Sequence, residues 1–213
     1  MSKPITYAYL ETTNYCNLDC SFCNREEVIG PLKHMSLEDW GKLLDGLKHH
    51  PIGEAKLMGM GEPMLHPNFD EVCRIFKEVF PKCKLIVATN CQYNIKEGLE
   101  FRRKFQECMK YIDMLYFSID GYDESYERDR APAKWSRLIQ FLKDFETINR
   151  YDCDVVVNYV VNAYNIEDIE ILRFFELNIK IKMVKTTSGS IAVDEVSDIL
   201  KVERELRKND KKN

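Results

Sequence analysis

The sequence has no hydrophobic run long enough to span a bilayer, so no membrane-spanning helix is expected. Its opening stretch, MSKPITYAYLETT, contains no apolar core of the kind that a secretory signal peptide needs. Eight cysteines without such a signal are typical of a reducing compartment, where thiols serve as metal ligands, reactive groups or small core residues. The sequence therefore predicts a cytoplasmic protein that does not associate with membranes.

Positive charge is also scarce for a protein that binds nucleic acid. The 31 lysines and arginines are outnumbered by 35 aspartates and glutamates, which gives a formal net charge of −4. A general nucleic-acid binder needs a basic surface, so no nucleic-acid partner is expected. Repeats and Pro/Gly/Ser-rich linkers are absent as well. These features predict one domain over residues 1–213, with a core at 5–185 and a C-terminal helix and charged tail at 186–213.

Short β-branched runs alternate with longer amphipathic segments along the chain. Strands are predicted at Thr6–Glu11, Ala55–Met60, Lys84–Thr89, Ile112–Ile119, Asp154–Val161 and Ile179–Val184. Helices are predicted at Leu37–Lys48, Phe69–Val79, Ile95–Met109, Lys134–Asn149, Ile166–Leu177 and Asp194–Lys208. Because strands that alternate with helices form right-handed crossovers, the pattern favours a parallel sheet. Six such units fit either an open doubly wound sheet or a curved, partly closed (β/α) barrel.

Three cysteines follow the first predicted strand in the stretch TTNYCNLDCSFCNR, and no fourth cysteine follows them at ligand spacing. They are Cys16, Cys20 and Cys23, and the nearest other candidate ligand is His34. Structural zinc sites are closed by four ligands, whereas three thiolates hold an iron–sulfur cluster with one iron left open. The alternatives are a zinc-binding or electron-transfer module and three cysteines of the core.

The C-x3-C-x2-C spacing, with an aromatic Phe22 directly before the last cysteine, resembles the motif of the radical S-adenosylmethionine (radical SAM) superfamily. The resemblance implies that Cys16, Cys20 and Cys23 hold one [4Fe–4S] cluster, whose open iron binds the amino and carboxylate groups of SAM. One electron from the cluster splits SAM into methionine and a 5′-deoxyadenosyl radical, which abstracts a hydrogen from the substrate. No cysteine follows Cys153, so auxiliary clusters are not expected.

Further stretches carry the same resemblance. MGMGEPMLHP places Gly59, Gly61 and Glu62 where family members have a Gly-Gly-Glu-Pro-like motif that holds the amino group of SAM. LYFSIDGYDESYERDR looks like the Ser-Leu/Ile-Asp-Gly…Arg stretch of a branch that includes peptide- and sulfatase-maturing enzymes and the molybdenum-cofactor synthase. By this resemblance Ser118 contacts the ribose or carboxylate of SAM, and Arg130 contacts its carboxylate. Phe22 is expected to contribute to the same SAM site.

Two residues have competing interpretations. Asn158, in VVVNYVVN, either reaches SAM in the same way as Ser118 or is a buried amide satisfied by backbone groups. Cys91 follows Asn90 in ATNC, where family members often have Thr-Asn-Gly. In one interpretation, Cys91 lies on the catalytic rim and its thiol donates a hydrogen atom in an epimerase reaction. In the other, Cys91 is a small residue packed under a loop.

The resemblance implies a radical SAM enzyme with an α/β fold, a partial (β/α)6 barrel of parallel strands that is open on one side. The motif in the fourth strand favours a peptide or protein substrate, modified by a maturase- or epimerase-like reaction. The lack of an obvious leader-peptide-binding domain favours a small metabolite such as a sugar, nucleotide or cofactor precursor. Lys180 and Lys182, in IKIKMVK, either bind an anionic group of the substrate or form a solvated edge. A reductant such as flavodoxin or ferredoxin is expected as a partner.

Overall fold

The computed structural model describes residues 3–93, 99–148, 151–168 and 180–181. One parallel sheet is formed by β1 (Ile5–Tyr9), β2 (Ile52–Leu57), β3 (Lys84–Thr89), β4 (Met114–Ser118), β5 (Asp154–Asn158) and β6 (Lys180–Ile181). The helices are α1 (Arg25–Val28), α2 (Leu37–Leu47), α3 (Phe69–Val79), α4 (Leu99–Cys108), α5 (Glu124–Asp129) and α6 (Trp135–Phe145), with a short 3-10 helix at Pro63–Leu65. Within these ranges the helices are too short or too polar to cross a bilayer.

The order of the strands decides between the two architectures that the sequence allows. Strands are neighbours in the sheet in the order in which they follow each other along the chain, from β1 to β6. A doubly wound sheet would instead reverse its strand order at a switch point. Because right-handed crossovers between successive neighbours all place their helices on the same face, the sheet curves into part of a barrel. In the described part β1 and β6 do not pair, so the prediction of a partial six-stranded barrel open on one side is confirmed.

Side chains of β4 show how the two faces of the sheet are used. Phe117 is fully buried against α6, with its ring centroid 5.6 Å from that of Phe141 and 5.0 Å from that of Phe145. Tyr116 points to the opposite face, where it packs in a smaller cluster with Ile86. The alternation in the sequence therefore separates a helix-covered face from a face that lines the barrel interior.

Four strands end earlier than predicted. β4 ends at Ser118 rather than Ile119, and β5 ends at Asn158 rather than Val161. The first strand ends at Tyr9 rather than Glu11, and the second ends at Leu57 rather than Met60. The residues beyond these strands contact each other: the Glu11 carboxylate accepts hydrogen bonds from the backbone N–H groups of Met60 and Gly61. These contacts replace the strand pairing that the local pattern predicts.

Other differences concern short or undescribed elements. The helix over Phe69–Val79 is confirmed with the predicted bounds, whereas the four-residue α1 and the six-residue α5 were not expected. The predicted helix Asp194–Lys208 and residue Lys182 lie outside the described residues, as does most of the predicted helix Ile166–Leu177.

Candidate functional site

A cavity of about 190 Å³ opens at the carboxyl ends of the first four strands. Its lining includes all three predicted cluster ligands, Cys16, Cys20 and Cys23. It also includes the predicted SAM-binding residues Phe22, Gly59, Gly61, Glu62, Ser118 and Arg130. Segments that are far apart in the sequence thus meet at one edge of the sheet, where parallel α/β folds place their ligands.

The three thiols differ in exposure. Cys16 and Cys20 are partly buried and Cys23 is exposed, and all three are free. Burial raises the pKa of the Cys20 thiol to about 11 and also raises the pKa of Cys16. Metal binding requires thiolates, so the positive charge of a bound metal has to offset the free-energy cost of deprotonating these buried thiols. Burial therefore favours the neutral form of the two inner thiols.

The three thiols are arranged around one cavity. In the described ranges, no group of three or more His, Cys, Asp or Glu side chains is placed to hold one metal ion. The thiols instead line a cavity that has volume for a larger group. His34, the candidate fourth zinc ligand, has its Nδ1 atom 2.9 Å from the Thr13 hydroxyl and its ring stacked on Tyr15 at 4.4 Å. It does not line the cavity, so the three thiols have no histidine beside them in the lining.

An amide network that sequence reasoning missed fixes the cysteine loop. The side chain of Asn90 donates to the Oδ1 atom of Asn17 at 2.7 Å, and the Asn17 side chain donates to the Gln92 carbonyl at 3.2 Å. On the other side of the loop, the Asp19 N–H donates to the Ala131 carbonyl at 2.6 Å. The loop is therefore held between the end of β3 and the segment after α5. The sequence contained one indication of the contact between Asn90 and Asn17, because Asn90 directly follows a predicted strand.

Glu62 is a buried carboxylate without a cationic partner among the described residues. One carboxylate oxygen accepts from the Met64 N–H at 3.1 Å, and the other accepts from the Asn90 N–H at 2.7 Å. Burial raises the pKa of the Glu62 carboxyl, and these two backbone donors offset the effect only in part. A negative charge in this position is suited to an ammonium group that enters the cavity.

Arg130 is buried and lines the same cavity. Its guanidinium forms an ion pair with Asp120, which has no exposed surface. Its Nη1 atom lies 4.0 Å from the Cys20 sulfur, and its Cζ atom lies 5.6 Å from the centroid of the Phe22 ring. Arg130 is therefore a buried residue of the cavity and not a charge on the protein surface. Its partner Asp120, two residues after the end of β4, was missed as a site residue.

The two glycines after β2 permit a close approach between strand ends. A Cβ atom at Gly59 would overlap the Glu11 carboxylate, and one at Gly61 would overlap the Thr13 carbonyl group. Both positions therefore require glycine, because the segment that follows β1 occupies the space that a side chain would need. Glu11 also caps this loop through Met60, a contact that sequence reasoning did not find.

Comparison with known proteins gives the family. A sequence model of the Radical SAM superfamily matches residues 10–175. This range covers most of the 213 residues and includes every residue that lines the cavity. The chain belongs to the radical SAM superfamily. Members of this superfamily use a [4Fe–4S] cluster and SAM, in agreement with the cofactors that the sequence predicts.

Relatives of this radical SAM chain are distant in sequence. It is 26% identical over 204 residues to the tungsten-containing aldehyde ferredoxin oxidoreductase cofactor-modifying protein of Pyrococcus furiosus, covering 91% of the chain and 54% of that protein. It is 28% identical over 168 residues to the antilisterial bacteriocin subtilosin biosynthesis protein AlbA of Bacillus subtilis, covering 76% of the chain and 35% of that protein. The chain therefore spans about half or less of these relatives.

A solved structure gives the same fold. The structure of Streptococcus suis SuiB bound to S-adenosylmethionine matches with a TM-score of 0.67 at 19% identity. The match covers 98% of this chain and 48% of SuiB. At this level of identity the likeness concerns the fold, and it agrees with the partial barrel seen in the radical SAM chain.

Among the described residues, the predicted SAM contact Asn158 does not line the cavity. Asn158 pairs in register with Ser118, and its backbone carbonyl accepts from the Ile119 N–H at 3.1 Å. Contact between the Asn158 side chain and SAM stays a prediction. Lys180 is described only as a backbone partner of Val156 in β6, and Lys182 lies outside the described residues.

The position of Cys91 corrects the expectation that it lies on the accessible rim of the cavity. The residue is completely buried in the core, and its thiol lies 3.6 Å from the Thr89 carbonyl oxygen. Its φ angle is 60°, which explains why glycine suits this turn. Burial favours the interpretation of Cys91 as a small packed residue over the role of hydrogen-atom donor.

The close approach at Gly61 generates a stability prediction. Replacing Gly61 with Ala forces a Cβ atom against the backbone of Thr13, and we expect the free energy of unfolding to fall by about 1–3 kcal/mol. Gly46, in α2, is the matched control because a Cβ atom there meets no other atom within 4 Å. Gly46→Ala should stabilise the protein by about 0.5–1 kcal/mol. Urea unfolding measures both changes, and equal stability of Gly61→Ala and the wild type would contradict the contact.

Proposed function

We propose that this chain is a radical SAM enzyme that holds one [4Fe–4S] cluster at Cys16, Cys20 and Cys23 and binds SAM beside it. The observation that carries the proposal is the single cavity lined by these thiols and by the predicted SAM-binding side chains. When bound, the cluster supplies the electron that cleaves SAM to methionine and a 5′-deoxyadenosyl radical, which takes a hydrogen atom from the substrate.

The charges in the cavity support SAM as the second cofactor. The amino acid part of SAM carries an ammonium and a carboxylate group. The lining offers a guanidinium at Arg130 and a buried Glu62 carboxylate that has no ion pair within the described ranges. Ser118 ends β4 at the same cavity, and no side-chain hydrogen bond of its hydroxyl is found within the described part. We assign Glu62 to the ammonium, Arg130 to the carboxylate, and Ser118 to the carboxylate or the ribose. Phe22 provides an apolar surface next to Arg130.

A peptide or protein is the substrate class that we favour. AlbA is named for the biosynthesis of a bacteriocin, and SuiB has also been solved bound to the precursor peptide SuiA. The open side of the barrel supports this choice, because β1 and β6 do not pair in the described part and an extended chain can enter between them. The Pyrococcus furiosus relative, named as a cofactor-modifying protein, supports a small cofactor precursor as the second candidate.

The surface of the cysteine loop bears on the reductant and the compartment. Cys23 is exposed, which supports electron delivery by flavodoxin or ferredoxin at this edge of the barrel. All eight cysteines are free thiols, which supports a reducing compartment such as the cytoplasm.

Iron content tests the cluster assignment. The wild-type chain, reconstituted anaerobically, should contain about four irons and the absorption of an iron–sulfur cluster. Changing Cys16, Cys20 or Cys23 to Ala should abolish both signals, because each removes a ligand. Cys73→Ala is the control, since this buried thiol in α3 does not line the cavity, and it should keep the iron. A triple Cys→Ala variant that retains the full cluster spectrum would refute the site.

SAM affinity tests the second half of the proposal. Ser118→Ala removes one hydroxyl from the lining and should weaken SAM binding by about 0.5–1.5 kcal/mol, a rise of about two- to tenfold in Kd. Ser136→Ala, on the exposed side of α6, should leave the affinity unchanged. Anaerobic calorimetry measures both values, and the iron content should not change.

Ser118 is a sharper probe than Glu62. Both carboxylate oxygens of Glu62 accept backbone N–H groups, so Glu62→Gln would set an amide NH2 against one of these donors. That variant tests folding as well as binding. An unchanged SAM affinity in Ser118→Ala would remove this residue from the site.

A further inference from the structure

Arg130 contacts protein groups on three sides. One side of its guanidinium, Nε and Nη2, contacts the Oδ2 atom of Asp120. The Nη1 atom faces the sulfur of Cys20 at 4.0 Å, and the Cζ atom lies over the Phe22 ring at 5.6 Å. With 7% of its surface exposed, this positive charge is shielded from water and held against one of the three cavity thiols.

Asp120 fixes the guanidinium in this position. It has no exposed surface, and its second carboxylate oxygen accepts from the Val160 N–H at 2.6 Å. Its own carbonyl accepts from the side chain of Asn165 at 2.8 Å. The carboxylate is therefore anchored to the segment after β5 and contacts Arg130 on the side away from the Nη1 atom that faces the sulfur. The positive end of the pair points toward Cys20 and the negative end points away from it.

A charge in this position acts on the electron affinity of a cluster held by Cys20. Reduction by one electron adds negative charge to the thiolates and sulfides of a cluster. Hydrogen bonds to sulfur and nearby positive charge stabilise that state, and they act more strongly in a buried site than in water. We propose that Arg130 raises the reduction potential of the cluster through its contact with Cys20, and that Asp120 limits this effect. The inference rests on the proposed function and assigns Arg130 a role in addition to SAM binding.

A redox titration followed by electron paramagnetic resonance tests the inference. The full chain is reconstituted anaerobically and reduced stepwise with dithionite, which donates the electron, in the absence of SAM so that SAM binding does not contribute. Arg130→Gln should lower the equilibrium constant for one-electron reduction at least tenfold, a fall of about 59 mV in potential. Asp120→Asn should shift the potential upward, because it removes the opposing negative charge. Opposite shifts from two partners are not expected from a general loss of structure.

The chain offers matched controls. Arg128 is two residues from Arg130 and pairs with Asp129, and its side chain is 50% exposed. Arg128→Gln makes the same change of charge in a solvated position, so its reduction equilibrium should stay within about threefold of the wild type. Arg130→Lys keeps the positive charge and should lie closer to the wild type than Arg130→Gln does. If Asp120→Asn does not fold, Arg130→Lys takes its place in the comparison with Arg130→Gln.

The outcomes separate the two proposals. A wild-type chain that assembles no cluster refutes the proposed function. A cluster whose reduction equilibrium changes less than threefold in Arg130→Gln overturns the role of Arg130. Equal falls in Arg130→Gln and Arg130→Lys also overturn it, because the charge would then not be the cause. A downward shift in Asp120→Asn contradicts the assigned role of Asp120.

Discussion

The buried residue Glu62 joins three loops, and the shape of the cavity depends on this junction. The backbone N–H of Glu62 donates to the Tyr15 carbonyl at 2.7 Å, next to the first cysteine of the motif. Its carboxylate accepts from Met64 in its own loop and from Asn90 at the end of β3. Asn90 in turn holds Asn17 inside the cysteine loop. A charge that would be costly to bury alone is therefore used to position the thiols, with hydrogen bonds that reduce its cost.

Two buried acids, Glu62 in the cavity lining and Asp120 behind Arg130, are compensated differently. Asp120 has a guanidinium partner, whereas no ion pair of Glu62 is found among the described residues. The lining thus includes a positive group at Arg130 and a negative group at Glu62. A zwitterionic amino acid group satisfies both groups at once, which a simple anion or cation does not. This complementarity supports SAM more strongly than either residue does alone.

Local patterns predicted the parts of this molecule that depend on local preferences. The amphipathic pattern of α3 gave the correct bounds, and the hydrophobic run at β4 gave a strand in the correct place. The strand ends at Glu11 and Met60 were not predictable, because they are set by contacts between loops that are 49 residues apart in the sequence. The motif spacing located the thiols, but the pairing of Asn17 with Asn90 and of Asp120 with Arg130 depends on the tertiary fold.

The open edge of the barrel bears on the choice of substrate. Tyr9 pairs in register with Lys56, which pairs with Ile86, so these side chains share the interior-facing side of the sheet. Tyr7 and Tyr9 are 57% and 65% exposed, and the Lys56 ammonium lies 5.3 Å from both rings. Exposed aromatic groups are enriched on surfaces that another chain covers. An extended peptide that lies along β1 would cover these tyrosines, whereas a small metabolite held at Ser118 alone would not, so their exposure supports the peptide that we propose as the substrate.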